Sequence, residues 1–501
     1  MRRGASGIKL LMLVGAAAAS LHGCRTVVPP RSGRPNVILI TIDTLRPDRL
    51  SAYGYTRQTP SIDSVAHDGQ LFEHAVCDVP WTTASIASVF TGLYASRHGL
   101  RSPTERLSDS ALTLAEVLHQ QGFLTAAVVG SFPVASIYNL NQGFETYDEE
   151  FTAPLDPVAP GQAPVDFAGK PRRIRKVPAR LTGSPEELQR YFAEKASNDA
   201  CRPDAEVTDR AAAWLRSHAD RDFFLWVHYF GPHERVSILQ PWHEQWPRVI
   251  AEYDRDLAET DRQIGRLLAA IDQLNLRQRT LLILHADHGQ SLGEDDYVGH
   301  GDNLYPASLR IPLLIRLPGR IPAGRRVPVL AKNVDIFPTV LSVLGITPPP
   351  ELSGEDLSRS FDPAAPQMDG ARVAYAETLA AASAAHTVDT PEYGPISAHL
   401  ARFGLLRGER MYVRSEFIPP CQRVGGDRLP DADCEKLSKE ELFDPFDRAS
   451  SMHDLLAIDA GLVAWFREQL PRYRLGGRGD SEPVALSPAD KEKLRALGYE
   501  R

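Results

Sequence analysis

The sequence predicts a doubly wound α/β fold with a mostly parallel sheet, followed by a smaller C-terminal α+β lobe carrying an antiparallel sheet. Three observations carry that expectation. Short apolar runs rich in β-branched residues, such as Asn36–Ile42 (NVILITI), Phe223–Tyr229 and Thr280–His285, suit strands buried on both faces. Segments of helical periodicity alternate with them, as βαβ units require. Beyond residue 345 the composition shifts to short strand-like stretches broken by turns.

In chain order, residues 36–42 open the fold and deliver Asp43 and Thr44 to the C-terminal end of the first strand, where α/β sheets place ligands. A short helix starts at Pro60. Residues 78–92 (DVPWTTASIASVFTG) read as a loop turning into a helix that Gly92 ends, with Thr82, Thr83 and Ser85 placed to cap its first free amides. An amphipathic helix over 112–121 closes on Gly122 and leads into a strand at 123–129. Residues 151–184 are rich in Pro and Gly with little periodicity and read as a long insertion. A helix over 205–218 precedes the strand Phe223–Tyr229, which ends at Gly231-Pro232-His233. A long helix over 249–274 precedes the strand Thr280–His285, which ends at Asp287-His288-Gly289. A helix over 334–344 closes the large domain, taken as 36–345. Residues 348–361 then cross to the lobe and tail of 346–501, with short strands over 373–447. No repeats are evident.

The 501 residues, 43% hydrophobic and 24% charged, suffice for one large domain and a smaller one. A formal net charge of -8 gives no electrostatic reason to expect nucleic acid. The basic run at 170–176 sits among prolines and reads as a solvated loop. At the N-terminus, Arg2, Arg3 and Lys9 precede an apolar stretch too short to span a bilayer, and Leu21-His22-Gly23-Cys24 follows. Residues 1–23 therefore read as a signal peptide and 24–35 as a tether. The Leu-x-Gly-Cys pattern resembles a bacterial lipoprotein box, implying a lipid on Cys24 and a periplasmic or surface-facing location in the cell envelope. His22 departs from the small residue usual in that box. Export implies an oxidising compartment. Cys421 and Cys434 are near enough in sequence to pair, whereas Cys77 and Cys201 have no evident partners.

Asp43, Asp287 and His288 lie at strand ends on one edge of the predicted sheet, where they can converge with Thr82 at a helix N-terminus. Two carboxylates, an imidazole and a hydroxyl form a four-ligand set for one divalent cation: Zn2+, Mn2+, Mg2+ or Ca2+. Each residue alone has an ordinary structural explanation, since a capped helix start or an Asp in a turn is commonplace.

The segments 36–55 (NVILITIDTLRPDRLSAYGY), 81–99 (WTTASIASVFTGLYASRHG) and 282–312 (LILHADHGQSLGEDDYVGHGDNLYPASLRIP), with 334–345 and 441–455, resemble sulfatases. The resemblance covers roughly 36–345 and parts of the lobe. It implies the alkaline phosphatase superfamily, with a nucleophile at the helix start, metal, and attack on a phosphoryl or sulfuryl centre. The departures are informative. Sulfatases carry Cys or Ser, matured to formylglycine, where this chain has Thr82, and threonine cannot yield that aldehyde. Cys77 lies outside the register. Ala84 and Ile86 replace the motif's Pro and Arg, Thr44 a second Asp, His288 an Asn, and Gly130-Ser131-Phe132 a stretch containing Lys.

What remains resembles the threonine-nucleophile branch, which includes phosphoethanolamine and phosphoglycerol transferases, nucleotide pyrophosphatases and phosphonate-cleaving relatives. The resemblance implies Asp43, Thr82, Asp287 and His288 as metal ligands, with Thr82 as nucleophile. His233 and His300 occupy positions near substrate and leaving group, where an imidazole suits proton transfer. His228 reads as a strand-end packing residue, Arg97 and His98 as support for a helix end, and Trp81 as narrowing the pocket. The expected activity is hydrolysis or transfer at phosphate or sulfate esters of small molecules, glycans or lipids. The other reading is a degraded envelope lipoprotein that binds an anionic glycan or phospho-ligand, motivated by Ile86 and Gly130 in place of anion-binding cations.

Overall fold

The computed structural model describes residues 33–152, 200–233, 246–294, 298–365, 372–379, 386–390, 393–424, 426–447, 455–474 and 481–496. The expected signal peptide, Cys24 and almost all of the expected tether lie outside these residues, as do nearly all of the expected insertion and the basic run within it. Among the described residues no helix is long and apolar enough to cross a membrane.

The large domain contains β1 (Asn36–Ile42), β2 (Gln70–Val76), the short β3 (Glu105–Arg106), β4 (Leu124–Val129), β5 (Thr146–Asp148), β6 (Phe223–Tyr229) and β7 (Thr280–His285). A small pair, β8 (Ser291–Leu292) and β9 (Val298–Gly299), precedes β10 (Leu313–Arg316) and β11 (Arg325–Lys332). Eight of these form one sheet in the order β11-β2-β10-β7-β1-β6-β4-β5. β10 runs antiparallel to both neighbours, and every other pairing is parallel. β1, β6 and β7 are buried throughout, as their continuous apolar runs require. The sheet is thus mostly parallel, with one reversed strand.

Alternation along β6 shows that both faces are covered, because residues 223 and 226 point to opposite sides. Trp214, from the helix Asp204–His218, meets Phe223 edge-on at 5.5 Å between ring centroids. Phe90, from the helix Thr82–Thr91, meets Trp226 at 4.8 Å on the other face. The doubly wound arrangement follows, and His228 shares the face of Trp226 and of the helix that begins at Thr82.

β2, β10 and β11 escape sequence reading for physical reasons. β2 is interrupted by Glu73 and His74, β10 has only four residues, and β11 contains a proline. The C-terminal lobe does hold an antiparallel sheet: β12 (Val373–Thr378), β13 (His386–Thr390), β14 (Gly394–Arg407), β15 (Arg410–Arg423) and β16 (Lys439–Phe443). Its centre differs from the expected run of short strands, because β14 and β15 form a hairpin of two 14-residue strands. A disulfide joins Cys421 at the end of β15 to Cys434 in the helix Asp431–Lys436.

The lobe braces the large domain. Arg101 makes two 2.6 Å hydrogen bonds to the buried Glu377 carboxylate of β12. The Glu377 amide donates to Asp78 O at 2.8 Å, just before the Thr82 loop, and the Thr378 hydroxyl donates to Gly301 O, beside His300.

Candidate active site

Asp43 leaves the end of β1 with its amide held by Tyr229 O of β6 at 3.0 Å. The next residue, Thr44, has φ 55°, a conformation a β-branched residue adopts only under strain. That turn sends the Thr44 amide to Asp287 Oδ1 at 3.2 Å and folds its hydroxyl back onto Asp43 O at 2.8 Å. Thr44 thus ties the two strand ends together and adds no oxygen to the site. The His288 amide also donates to Asp287 Oδ1, at 2.8 Å.

The hydroxyls at the start of the helix do not cap it. Trp81 is the N-cap residue, and no side chain makes a cap bond. Each hydroxyl is used elsewhere: Thr83 donates to Pro133 O and Ser85 to Asp287 O, both at 2.7 Å, while Thr82 Oγ1 turns to His288. The helix start is therefore held by packing and by these bonds, and its N-terminal dipole faces the site. Trp81 is 1% exposed and belongs to the main core, which roots the loop.

The four expected ligands do converge. His288 donates Nδ1–H to Gly289 O at 2.9 Å, which leaves the Nε2 lone pair facing Thr82 Oγ1 at 3.1 Å. His288 Nε2 lies 3.9 Å from Asp43 Oδ1 and 3.5 Å from Asp287 Oδ2. His228, expected to pack, is a fifth member. It is fully buried, neither ring nitrogen has a hydrogen-bond partner, and Nε2 is 3.8 Å from Asp43 Oδ2. Donor atoms of Asp43, His228 and Asp287 all lie within 4.8 Å of one another. The signal for His228 was its register: β6 places it beside Thr41, in line with His285 of β7.

These groups fit a divalent cation. Both oxygens of Asp43 and Oδ2 of Asp287 are buried without a hydrogen-bond donor. Burial, reinforced by Asp287, pushes the Asp43 carboxyl well above the usual carboxylate range, and burial pushes Asp287 up to about 7. Burial holds His288 down to about 4 and, with neighbouring imidazoles, His228 to about 3. Two carboxylates facing lone pairs of neutral imidazoles form a donor set that a bound cation would stabilise in its charged form.

His233 and His300 stand beside this set. Their Nε2 atoms are 3.1 Å apart, so one donates to the other, and the His300 ring lies 4.4 Å from that of His288 between centroids. His233 stacks on Phe230 at 4.4 Å. Burial, reinforced by the adjacent His288 imidazole, keeps the His300 pKa well below its ordinary value.

Two supporting networks were not foreseen. Trp226 Nε1–H donates to Thr41 Oγ1, which donates to His285 Nε2, and His285 Nδ1–H donates to Ala286 O, at 3.0, 2.9 and 2.7 Å. Their members come from three strands and lie far apart in the chain. The second starts at His98, whose Nε2–H reaches Ser88 Oγ at 2.9 Å, and Ser88 donates to Asp78 Oδ2 at 2.7 Å. Asn333 Nδ2 donates to Asp78 Oδ1 and Ser85 Oγ at 2.8 and 3.0 Å, completing a path to Asp287 O. His98 thus supports the helix as expected, through Ser88. Arg97 pairs with Glu351 at the surface and donates to Ser353 Oγ at 3.4 Å, whose amide bonds Gly92 O at the helix end. Cys77 is buried and donates to Ser308 O, away from the Thr82 hydroxyl. Ile86 is in the core, and a Cβ on Gly130 would sit 2.9 Å from His228 O, so neither position supplies a cation.

A profile of the sulfatase family matches residues 35–346, more than half of the chain. N-acetylgalactosamine-6-sulfatase of Canis lupus familiaris is 26% identical over 389 residues, covering 70% of this chain and 69% of that protein. Arylsulfatase G of Mus musculus is 25% identical over 366 residues, covering 66% and 69%. Among solved structures, the phosphonate monoester hydrolase of Agrobacterium radiobacter superposes with TM-score 0.61 at 19% identity, covering 90% of this chain and 97% of that one. A 2-O GAG sulfatase superposes with TM-score 0.63 at 17% identity, covering 93% and 96%. These two share the fold.

Proposed function

This chain belongs to the sulfatase family, and we propose that it is a metal-dependent hydrolase or transferase of phosphate or sulfate esters with Thr82 as its nucleophile. The observation that carries the reading is the 3.1 Å contact between Thr82 Oγ1 and the free lone pair of His288 Nε2, at a helix start facing two carboxylates. Held by Asp43, Asp287, His288 and Thr82, a divalent cation would supply positive charge that lowers the hydroxyl pKa and polarises the ester.

The chain's own residues perform the remaining tasks. The Gly289 carbonyl fixes the His288 tautomer, and the strained turn at Thr44 fixes Asp287 against Asp43. The amides at the start of the helix Thr82–Thr91 orient the anionic group through the helix dipole. Thr82 Oγ gives up its proton to the His233–His300 pair and bonds to phosphorus or sulfur as the ester oxygen leaves, and the pair passes that proton to the leaving oxygen. Water or an acceptor hydroxyl then displaces Thr82 from the covalent ester. The names of the sulfatases matched above support ester substrates, and the glucosamine disulfate named as the substrate of one solved relative supports a sugar as the bearer.

Turnover of p-nitrophenyl phosphate, phosphodiester, phosphonate and sulfate with added Zn2+ or Mn2+ tests this reading. The wild type should turn over at least one ester, and Thr82→Ala should lose roughly a thousandfold or more in kcat. Full activity in Thr82→Ala would remove the nucleophile assignment. No turnover with any metal would favour a lipoprotein that only binds an anionic ligand. The Leu21-His22-Gly23-Cys24 pattern further supports a lipid-anchored protein of the bacterial envelope. The mass of the mature N-terminal peptide, with or without acyl chains on Cys24, decides that point.

A further inference from the structure

We propose that His228 is a ligand of the cation site, and that its imidazole together with that of His288 makes the site select a borderline metal of the Zn2+ class over Ca2+ and Mg2+. This rests on the reading above that Asp43 and Asp287 hold a cation. His228 is fully buried with both ring nitrogens unpartnered, whereas His98, His285 and His288 each engage a backbone group through Nδ1. Leaving a buried polar group unpaired forfeits its hydration with nothing in return. An apolar residue would serve packing better at this point of β6, so packing alone does not account for a histidine.

The geometry places the two imidazoles on different oxygens of one carboxylate. His228 Nε2 lies 3.8 Å from Asp43 Oδ2, and His288 Nε2 lies 3.9 Å from Asp43 Oδ1. Separations of this size are near those of ligands sharing one ion with bonds of about 2.1 Å. Ca2+ and Mg2+, the usual metals of the family, are hard cations that take oxygen donors. Here the oxygens are two carboxylates and one hydroxyl. Thr44, where a second acid would stand, turns its own hydroxyl onto Asp43 O. Two nitrogens beside two carboxylates suit Zn2+ better than Ca2+ or Mg2+, with Co2+ as a spectroscopic substitute.

The test uses the full chain stripped with EDTA. Zn2+, Ca2+ and Mg2+ are titrated by calorimetry, and Co2+ by its visible absorption, in the wild type, His228→Ala and His228→Gln. The expected result is one ion per chain, Zn2+ binding at least about a hundredfold tighter than Ca2+. Both variants should bind Zn2+ at least about tenfold more weakly and shift the Co2+ spectrum. His228→Gln keeps a polar side chain of similar size, so it decides the matter if the alanine variant does not fold. Zn2+ affinity within twofold of wild type in a folded variant would overturn the proposal, as would equal affinity for Ca2+ and Zn2+. These readouts need no turnover. An inactive protein that binds Zn2+ through His228 would refute the esterase reading alone, and an active enzyme indifferent to His228 would refute this proposal alone.

Discussion

Replacing Asp287 with asparagine should stabilise the metal-free protein and destabilise the metal-loaded one relative to wild type. Asp287 is buried, and burial raises its carboxyl from 3.8 to about 7. Between those pH values the folded chain binds a proton that the unfolded chain has released, so metal-free stability falls as pH rises through the window. Holding the carboxylate ionised above pH 7 costs roughly 4 kcal/mol. Asparagine keeps Oδ1 as acceptor for the amides of Thr44 and His288 and removes the charge. At pH 8 in EDTA, Asp287→Asn should therefore gain up to roughly 4 kcal/mol in equilibrium urea unfolding, and the difference should vanish near pH 4. Added metal reverses the order. An ion at ten thousand times its Kd stabilises the wild type by about 5.5 kcal/mol, more than the roughly 4 kcal/mol that the ionised carboxylate costs, and the variant by far less. Equal stability in EDTA at pH 8, or equal stabilisation of both proteins by metal, would refute the argument that these carboxylates are charge-frustrated without a cation.

Three further predictions address other parts of the site. His300→Ala and His233→Ala should slow esters with poor alkyl leaving groups by roughly a hundredfold while sparing p-nitrophenyl esters, seen as a steeper dependence of rate on leaving-group pKa. Arg101→Met leaves the buried Glu377 carboxylate without its cation, with only the Tyr375 hydroxyl still donating to its side chain among the described residues, and should cost roughly 3 kcal/mol in chemical unfolding. Burial holds His98 near a pKa of about 3, below its unfolded value of 6.5, so its stabilisation is complete above pH 6.5 and is lost as pH falls towards 3. His98→Gln should therefore flatten the acid limb of the stability profile in that window by about 1.4 kcal/mol per pH unit.

Much of the site was legible because its chemistry sits where strands end. Asp43 follows an unbroken apolar run, and Asp287-His288 follows another, so the fold class itself placed them on one edge. The hydroxyl cluster at 82–85 was visible too, but its use was misread as capping. Capping residues and site residues are the same types, and only the position of neighbouring carbonyls separates them. His228 was passed over because one histidine in an apolar strand looks like packing until the adjacent strand supplies Asp43.

The amino-acid sequence alone determined the wound sheet with its principal strands and helices, since periodicity is a local property of the chain, and its resemblance to sulfatases singled out Asp43, Thr82, Asp287 and His288 as candidates. The tertiary structure decided which hydroxyl faces which imidazole, the strained turn at Thr44 and the entry of His228. It also decided how β12 braces the loop before Thr82. Those depend on strand register and on bonds between residues tens to hundreds of positions apart, and no local pattern encodes them.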